Sequence, residues 1–346
     1  MIAAKGYAAL QTGTTLSPWT FERRALTPHD VLIEILYCGV CHTDLHMIRN
    51  DWFPGIFPMV PGHEIVGRVI EAGEHVTKFK VGELGGVGVM VDACMECEDC
   101  RNDQEQFCQV SPVQTYGNLQ KDGTPAYGGY SNLIVVREEF VHRIADTLAL
   151  EGVAPLLCAG ITTYSPIRNW QIGKGHQVAV VGLGGLGHMA VKFAVAFGAE
   201  VTVLSTSARK KEAALKLGAH HFVVTTDEAQ FKSVQRAFHF IIDTVAADHD
   251  INPYIASLKT NGVYINVGMP AKPWSIPSFS LAAGNKVVAG SGAGGLAQTQ
   301  EMLDFCAEHN IVSDVEVIKM QDIHTAMERL EKGDVLYRFV IDMSSL

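Results

Sequence analysis

One short segment of the chain carries four closely spaced cysteines, Cys94, Cys97, Cys100 and Cys108. The two-residue gaps between the first three let a single loop curl around one ion, and the fourth cysteine returns to complete a tetrahedron. Four thiolates are the usual ligands of structural zinc, although an iron–sulfur cluster uses the same ligand set and is the competing interpretation. The segment therefore predicts a metal-binding loop that holds structural zinc.

A second group of metal-binding residue types is spread along the first half of the chain, at Cys41, His63 and Cys158. Two cysteines and one histidine leave a coordination position in which a substrate oxygen can reach zinc, so this set predicts a catalytic metal. Each residue alone is weak evidence, because an isolated histidine is more often a satisfied polar residue than a ligand. That ordinary interpretation is applied to His42, His188, His220 and His221.

Composition limits the classes of function. A chain of 346 residues with 47% apolar and 18% charged residues predicts two globular domains with sizeable cores. The formal charge is 27 − 37 = −10 without basic clusters, which argues against a nucleic-acid partner. Neither a signal core nor a membrane-spanning stretch is expected, and we predict a cytoplasmic protein whose eight cysteines stay reduced as ligands or, for Cys38 and Cys306, as core residues.

The pattern of elements changes near residue 150. Before it, short β-branched runs such as 31–36 and 66–70 alternate with glycine and proline turns, which is typical of an all-β body. After it, strands are predicted at 177–182, 200–204, 240–243 and 262–268, and helices at 189–197 and 213–217. This alternation predicts an α/β fold with a doubly wound parallel sheet.

The first strand of that region runs into a glycine-rich turn, residues 182–187. Its sequence matches the dinucleotide-binding pattern, with Gly182 for the tight turn, Gly184 for approach of the pyrophosphate, and Gly187 for close packing of helix and strand. Gly185 and Leu186 complete the turn. A plain glycine connection is the alternative, but the strand before the turn and the helix after it favour a cofactor site.

Cofactor choice is predicted from the end of the second strand, where an NAD enzyme would place a carboxylate. This chain instead has three small hydroxyl residues and two cations, namely Ser205, Thr206, Ser207, Arg209 and Lys210. Hydroxyls and positive charge suit the 2′-phosphate on the adenosine ribose, which NADP(H) has and NAD(H) lacks. NADP(H) is therefore predicted as the cofactor. Alternatively, Thr206 or Ser207 caps the next helix and the cations are solvated. The two interpretations are compatible.

Taken together, these motifs resemble the zinc-dependent medium-chain alcohol dehydrogenases of the cinnamyl alcohol dehydrogenase branch, and the resemblance covers the whole chain. The motifs that carry it are residues 41–46, 62–67, 94–108, 158–164 and 182–188. The resemblance implies a GroES-like, β-rich catalytic domain at 1–150 completed by 291–346, and a Rossmann NADP-binding domain at 151–290. It also implies an active site in the cleft between the domains, and a homodimer.

The same resemblance implies roles for individual residues. Zinc on Cys41, His63 and Cys158 would act as a Lewis acid while nicotinamide exchanges hydride with the substrate carbon. The resemblance further implies a proton path through Thr43 and His46, with Asp51 orienting His46. It implies that Asp44 supports the zinc ligands and that Glu64 is an alternate zinc ligand. It also implies that Thr162 contacts the cofactor. Four cysteines, Cys94, Cys97, Cys100 and Cys108, would hold a second, structural zinc.

Two features leave questions open. Residues 82–88 depart from the usual pattern of the branch, which puts the details of one strand in doubt, and Trp52 and Phe53 either line a substrate pocket or pack at a domain edge. We predict reversible NADP(H)-dependent reduction of small aromatic or aliphatic aldehydes to alcohols. The alternatives are an NAD-dependent polyol or alcohol dehydrogenase, and a non-enzymatic zinc or redox-sensing protein on the same fold. A zinc-independent enone or quinone reductase would lack the cysteine ligands.

Overall fold

The computed structural model describes residues 1–346, which form two compact units. The first unit comprises Met1–Ile161 and Gly294–Leu346, and the second comprises Thr162–Ala293. The domain boundaries near residues 150 and 290 remain a prediction from the sequence. By contacts, Cys158 belongs to the first unit together with Cys41 and His63.

Strands and helices alternate differently in the two units. The strands are β1 (Ile2–Ala8), β2 (Ser17–Arg23), β3 (Asp30–Val40), β4 (Ile65–Ala72), β5 (Leu84–Val87), β6 (Met90–Asp92), β7 (Val113–Gln114), β8 (Leu133–Arg137), β9 (His142–Arg143), β10 (Gln177–Val181), β11 (Glu200–Ser205), β12 (His221–Val224), β13 (Phe238–Asp243), β14 (Leu258–Asn266), β15 (Val287–Gly290), β16 (Val315–Lys319) and β17 (Arg338–Asp342). The helices are α1 (His42–Arg49), α2 (Glu98–Arg101), α3 (Leu150–Val153), α4 (Ala159–Asn169), α5 (Gly185–Ala196), α6 (Lys211–Lys216), α7 (Glu228–Ser233), α8 (Asn252–Ser257), α9 (Ser278–Ala282), α10 (Leu296–His309) and α11 (Ile323–Glu331).

The first unit is built on a seven-stranded sheet. Its order is β16-β17-β3-β4-β5-β9, with β8 also paired to β3, and two small sheets pair β1 with β2 and β6 with β7. The predicted runs at 31–36 and 66–70 lie within β3 and β4. The unusual segment 82–88 contains a regular strand, β5, which pairs with β4 and β9. Cys38 is fully buried in the core of this unit, as predicted.

Strand pairing in this sheet brings distant segments together. β3 ends at Val40 and β4 begins at Ile65, and the antiparallel register places Cys38 opposite Ile65. The residues just after β3 and just before β4, Cys41 and His63, therefore lie at the same end of the sheet. On the other side of β3, Phe339 of β17 pairs with Val40.

The second unit is a doubly wound α/β layer, as the alternating pattern predicts. Its six parallel strands have the order β12-β11-β10-β13-β14-β15, which matches the dinucleotide-binding arrangement with the order reversal at β10. The helix after the glycine turn begins at Gly185 rather than at the predicted Met189. The correction has a physical reason: the tight turn ends at Gly184, so helical geometry starts within the glycine motif.

No helix of the chain is both long enough and apolar enough to span a lipid bilayer.

Candidate active site and metal centres

Three separate segments of the first unit meet at one buried cluster of potential ligands. The ligand atoms of Cys41, His63, Glu64 and Cys158 all lie within 4.8 Å of one another. The Cys41 and Cys158 sulfurs are 3.9 Å apart, and His63 Nε2 is 3.3 Å from the Cys158 sulfur. We call this group the Cys41 site.

The donor set of the Cys41 site suits a cation. The hydrogen bond between the two sulfurs lowers the pKa of Cys41 and raises the pKa of Cys158, because a Cys158 thiol that keeps its proton stabilises a Cys41 thiolate by donating to it. A divalent cation among them would favour deprotonation of both. Two sulfurs and one imidazole nitrogen are a known zinc ligand set with a position left for a substrate oxygen. The residues therefore fit catalytic zinc.

Asp44 organises the residues around this cluster. It is fully buried and accepts hydrogen bonds from the Cys41 N–H (2.9 Å), the Tyr116 hydroxyl (2.6 Å) and the Tyr130 hydroxyl (2.9 Å). Its Oδ1 also lies 3.4 Å from His63 Nδ1. A carboxylate on the far nitrogen of a ligand histidine fixes the ring orientation and leaves Nε2 to face the metal.

Glu64 is fully buried beside His63, with Oε1 4.0 Å from His63 Nε2. Its carboxylate forms an ion pair with Arg338 of β17, which is 4% exposed. Burial opposes the charge of Arg338, but Glu64 and the two thiols outweigh it and raise the pKa of Arg338. Glu64 Oε2 is buried with no hydrogen-bond partner and packs against Gly39, where a Cβ would collide with it. One carboxylate oxygen is thus held by Arg338 and the other is uncommitted.

Sequence reasoning missed Arg338, Tyr116 and Tyr130. Arg338 is 274 residues from Glu64 and meets it because β17 pairs with the end of β3 that leads to Cys41. Tyr116 and Tyr130 are 72 and 86 residues from Asp44. No local motif marks these partners. An arginine directly before the apolar run Phe339-Val-Ile341 is the one local signal in the sequence.

The residues of the expected proton path lie on and just after α1, the helix that Cys41 caps. Thr43 Oγ1 is 3.5 Å from the Cys41 sulfur. His46 Nδ1 is 2.8 Å from Asp51 Oδ2, and the His46 ring stacks on Trp52 with ring centroids 4.5 Å apart. Trp52 therefore contacts the histidine of the expected path, whereas Phe53 is 64% exposed.

The four cysteines at positions 94–108 converge within a single loop, which we call the four-cysteine loop. Their sulfurs also lie within 4.8 Å of one another, and none of the chain's eight cysteines forms a disulfide. Burial opposes ionisation of Cys108, but backbone N–H groups, including that of Cys94, outweigh it and lower its pKa to about 6. Burial and the neighbouring thiols raise the pKa of Cys100 to about 12. Four thiols lie close together, and two of them have pKa values shifted in opposite directions. Such a set fits a thiophilic metal with tetrahedral coordination.

The loop is attached to the rest of the first unit by Glu105, which lies between Cys100 and Cys108. This side chain is 3% exposed, and its Oε2 accepts a hydrogen bond of 2.9 Å from the backbone N–H of Leu296, the first residue of α10. A carboxylate at a helix N-terminus accepts a hydrogen bond from a free N–H. Its negative charge also interacts favourably with the positive end of the helix dipole. A metal bound by the four cysteines and the cap that Glu105 gives to α10 would together hold the four-cysteine loop, which has little regular structure of its own.

The glycine turn of the second unit has the geometry that a dinucleotide needs. Gly182 adopts φ +85°, which favours glycine, and a side chain at Gly187 would collide with the Gly182 carbonyl. A Cβ at Gly184 would meet no atom within 4 Å, so open space lies in front of the N-terminus of α5. Free N–H groups at that end, from Gly185 and Leu186 onward, favour a phosphate. The residues fit a dinucleotide cofactor.

The residues expected to choose the cofactor follow β11. Ser205 is its last residue and accepts a hydrogen bond of 3.2 Å from the Ser207 N–H. Lys210 reaches back and donates to the Leu183 carbonyl of the glycine turn at 3.0 Å, whereas Thr206 and Arg209 are exposed. Ser207 precedes the next helical turn without a side-chain cap bond, so the capping role considered for it is absent. Thr162 is a half-buried residue of α4.

Family models match both units. An alcohol dehydrogenase GroES-like domain matches residues 27–146, and a zinc-binding dehydrogenase domain matches residues 185–308. The chain belongs to the medium-chain alcohol dehydrogenases, in the cinnamyl alcohol dehydrogenase branch. The predicted family and the predicted combination of a GroES-like domain with a Rossmann-type α/β domain are confirmed.

Individual members of this branch are similar over nearly their full length. An 8-hydroxygeraniol dehydrogenase of Catharanthus roseus is 54% identical, with 99% of this chain and 96% of the relative covered. A solved cinnamyl alcohol dehydrogenase from Sorghum bicolor has a TM-score of 0.95 and 47% identity over 99% of this chain and 98% of that one. A Helicobacter pylori enzyme of the same name, solved with NADP(H), has a TM-score of 0.93 and 44% identity over 99% of each chain. The present chain is thus an alcohol dehydrogenase of this branch.

Proposed function

We propose that this alcohol dehydrogenase interconverts small aromatic or aliphatic aldehydes and their alcohols reversibly, with NADP(H) as hydride carrier and zinc at the Cys41 site. The observation that carries the proposal is the meeting of Cys41, His63 and Cys158 within 4.8 Å, with Asp44 behind His63. Zinc held by these three residues would supply a Lewis acid for the substrate oxygen.

The remaining roles belong to side chains of the protein. Thr43 carries a hydroxyl near the Cys41 sulfur and would accept and pass on the alcohol proton. His46, oriented by Asp51 and stacked on Trp52, would exchange that proton with solvent, since its side chain is about one-third exposed. Glu64, with one oxygen uncommitted, is proposed as an alternate ligand during exchange of water and substrate.

A second zinc is proposed in the four-cysteine loop, on Cys94, Cys97, Cys100 and Cys108. Its four sulfurs offer a closed ligand set, and backbone N–H groups stabilise the thiolates, as from Cys97 to the Cys94 sulfur at 3.3 Å. Such a site has no position for substrate. Its proposed role is therefore to fix the loop, and two zinc ions per chain are expected.

NADP(H) is proposed to bind across the glycine turn, with its pyrophosphate at Gly184, Gly185, Leu186 and Gly187 and its 2′-phosphate near Ser205, Thr206 and Ser207. The absence of a carboxylate after β11 and the presence of two cations support NADP(H) over NAD(H). Because Lys210 already bonds the Leu183 carbonyl, the exposed Arg209 is the freer partner for the phosphate. The complex solved for the Helicobacter pylori relative supports the same choice. Thr162 is proposed to contact the cofactor.

The assembly and location of the enzyme are also proposals. A homodimer is expected by analogy with the branch, and its mass in solution measured by light scattering tests this. The free cysteines support a reducing compartment, for which we propose the cytoplasm.

One experiment tests both the chemistry and the cofactor. Purified enzyme with its zinc content measured is assayed with cinnamaldehyde and benzaldehyde, using NADPH and NADH side by side. We expect two zinc ions per chain and faster turnover with NADPH. Ser205→Asp should lower the preference for NADPH over NADH by about tenfold or more, because a carboxylate repels the 2′-phosphate.

The matched control is Ser233→Asp, which adds the same charge at an exposed position on α7. It should leave the cofactor preference unchanged. Unchanged preference in Ser205→Asp would refute the role given to that residue. NADPH binding without turnover of aldehydes or alcohols would favour a non-enzymatic protein, and faster NAD-dependent oxidation of polyols would favour the alternative dehydrogenase.

A further inference from the structure

The loop that follows β13, residues 244–249, begins in contact with the glycine turn. Thr244 donates from its hydroxyl and its N–H to the Val181 carbonyl, at 2.7 and 3.1 Å. A Cβ on Gly182 would lie 2.9 Å from Val245 Cγ2 and 3.1 Å from Thr244 Oγ1. The position of this loop therefore determines part of the surface next to the glycine turn.

His249 closes the loop at its other end. Its Nδ1 is 2.9 Å from the Ala247 carbonyl, and its Nε2 is 2.9 Å from Asp243 Oδ2. The second contact lies off the hydrogen-bonding direction, so its attraction is mainly that of opposite charges. Both ring nitrogens thus face oxygen acceptors. In the protonated ring, the Nδ1–H donates to the Ala247 carbonyl and the positive charge pairs with the Asp243 carboxylate, whereas a neutral ring loses its attraction to Asp243.

Asp243 is a strong partner for this charge. Its side chain is fully buried, and it accepts hydrogen bonds from the Val245 N–H (3.0 Å) and from the hydroxyl of Tyr264 on β14. Asp243 thereby contacts both His249 and the beginning of the loop. A buried carboxylate that lost its cationic partner would be left uncompensated.

The other groups that face His249 are Asp250, next to it in the chain, and Tyr254 of α8, whose ring centroid is 5.8 Å from the imidazole. The contact with Asp243 is the largest cause that raises the pKa of His249, with smaller contributions from the Ala247 carbonyl and Asp250. Burial opposes the shift. Tyr254 and Tyr264 stay neutral because burial raises the pKa of both hydroxyls.

We propose that His249 is a positioning residue whose positive charge holds the 244–249 loop against the glycine turn and thereby makes NADP(H) affinity depend on pH. The proposal rests on the proposed function, because it takes the glycine turn to be the cofactor site. His249 itself does not contact the glycine turn; it acts through Asp243, Thr244 and Val245.

The direction of the effect follows from the raised pKa. At a pH below the ordinary histidine value, about 6.5, the imidazolium is fully formed and the loop is held. As the pH rises through the higher value in the folded protein, the charge is lost, the loop loosens and cofactor affinity falls. By linkage, bound cofactor raises the pKa of His249 further.

The test is to measure the Kd of NADP⁺ by calorimetry between about pH 6 and about pH 9 for the wild type and for His249→Gln. Relative to His249→Gln, the wild type should lose roughly fivefold in affinity across this range, at the low end of coupling between two sites. His249→Gln should bind more weakly at the acidic end and lack this dependence. Titration of the 2′-phosphate contributes equally to both proteins and cancels in the comparison.

The matched control is His221→Gln, because His221 also pairs with a carboxylate, Glu200, at 2.9 Å. That pair lies at the start of β12, whereas the glycine turn follows the end of β10, so this variant should keep the wild-type profile. If His249→Gln does not fold, the shorter His249→Asn is measured in the same way. In the unmodified protein, saturating NADP⁺ should raise the pKa of His249, followed by NMR, by about 0.7, which equals a fivefold coupling.

The two levels of the proposal fail differently. A wild-type protein that binds no NADP⁺ at any pH would refute the proposed cofactor. A wild-type protein that binds NADP⁺, with a His249→Gln variant that keeps the same pH dependence, would refute the role of His249 and leave the cofactor assignment intact.

Discussion

The two cysteine-rich centres of the first unit are made in opposite ways. The Cys41 site joins residues as far apart as 117 positions, and it depends on the pairing of β3 with β4 and β17. The four-cysteine loop draws its four sulfurs from residues 94–108, and Cys94 and Cys108 are only 14 positions apart. A site made from the whole unit is preformed by folding, whereas a site made from one loop must help to form that loop.

Their surroundings differ in the same sense. Around the Cys41 site, the buried carboxylates of Asp44 and Glu64 are held by two tyrosine hydroxyls and by Arg338. Around the four-cysteine loop, the main support is from backbone N–H groups and from the cap that Glu105 gives to α10. The first arrangement would orient ligands for the proposed chemistry, and the second would stabilise a turn-rich segment.

Replacing one ligand in the Cys41 site should have the largest effect on turnover. For Cys158→Ser we expect a loss of aldehyde reduction of at least about a thousandfold, because several kcal/mol of transition-state stabilisation depend on the metal. NADP⁺ affinity and thermal stability should change little. Zinc content measured by mass spectrometry should fall from two to one per chain.

Cys38→Ala is the matched control, because Cys38 is also a fully buried thiol of the same unit but belongs to neither cluster. It should keep both zinc ions and most of the activity. Substantial turnover in Cys158→Ser would contradict the assignment of catalytic zinc to this site.

Replacing one ligand in the four-cysteine loop should mainly affect folding. For Cys100→Ser we expect the free energy of unfolding to fall by roughly 3 kcal/mol and Tm by about 4 °C, since binding of a structural metal contributes directly to folding. Calorimetry measures both. The fraction that remains folded should keep its kcat, because no position for substrate exists in a closed four-thiolate set. A stable protein with unchanged zinc content would refute a structural metal in the loop.

The comparison also explains what sequence reasoning could find. The spacing of Cys94, Cys97, Cys100 and Cys108 is itself the geometry of their loop, and the glycine turn at Gly182–Gly187 encodes its own bend. Both were therefore predictable from local pattern. Cys41, His63 and Cys158 could be grouped as residue types that suit one zinc, and the resemblance to a family supported that grouping, because nothing in their spacing indicates that β3 and β4 lie side by side.

The supporting residues were harder to predict for the same reason. Arg338 reaches Glu64 only through the pairing of β17 with β3, and Tyr116 and Tyr130 reach Asp44 from loops of irregular structure. The early start of α5 was missed because glycines weaken a helical pattern, although a tight turn followed at once by free N–H groups is the arrangement that a phosphate requires.

The smallest expected effect tests whether Asp44 gives the Cys41 site its preformed geometry. Asp44→Asn replaces one acceptor oxygen with a donor, while five groups, including three strong donors, face that carboxylate. Zinc affinity at the Cys41 site should therefore fall by about 10- to 100-fold, as is typical when the partner of a ligand histidine is altered. Competition with a chelator, followed by metal content and activity together, measures this loss.

Asp99→Asn is the control in the four-cysteine loop, because Asp99 accepts a surface hydrogen bond from Gln109 and no ligand depends on its charge. Equal losses in the two variants would mean that the buried carboxylate adds nothing beyond local packing, and the contrast between the two sites would then rest on their ligands alone.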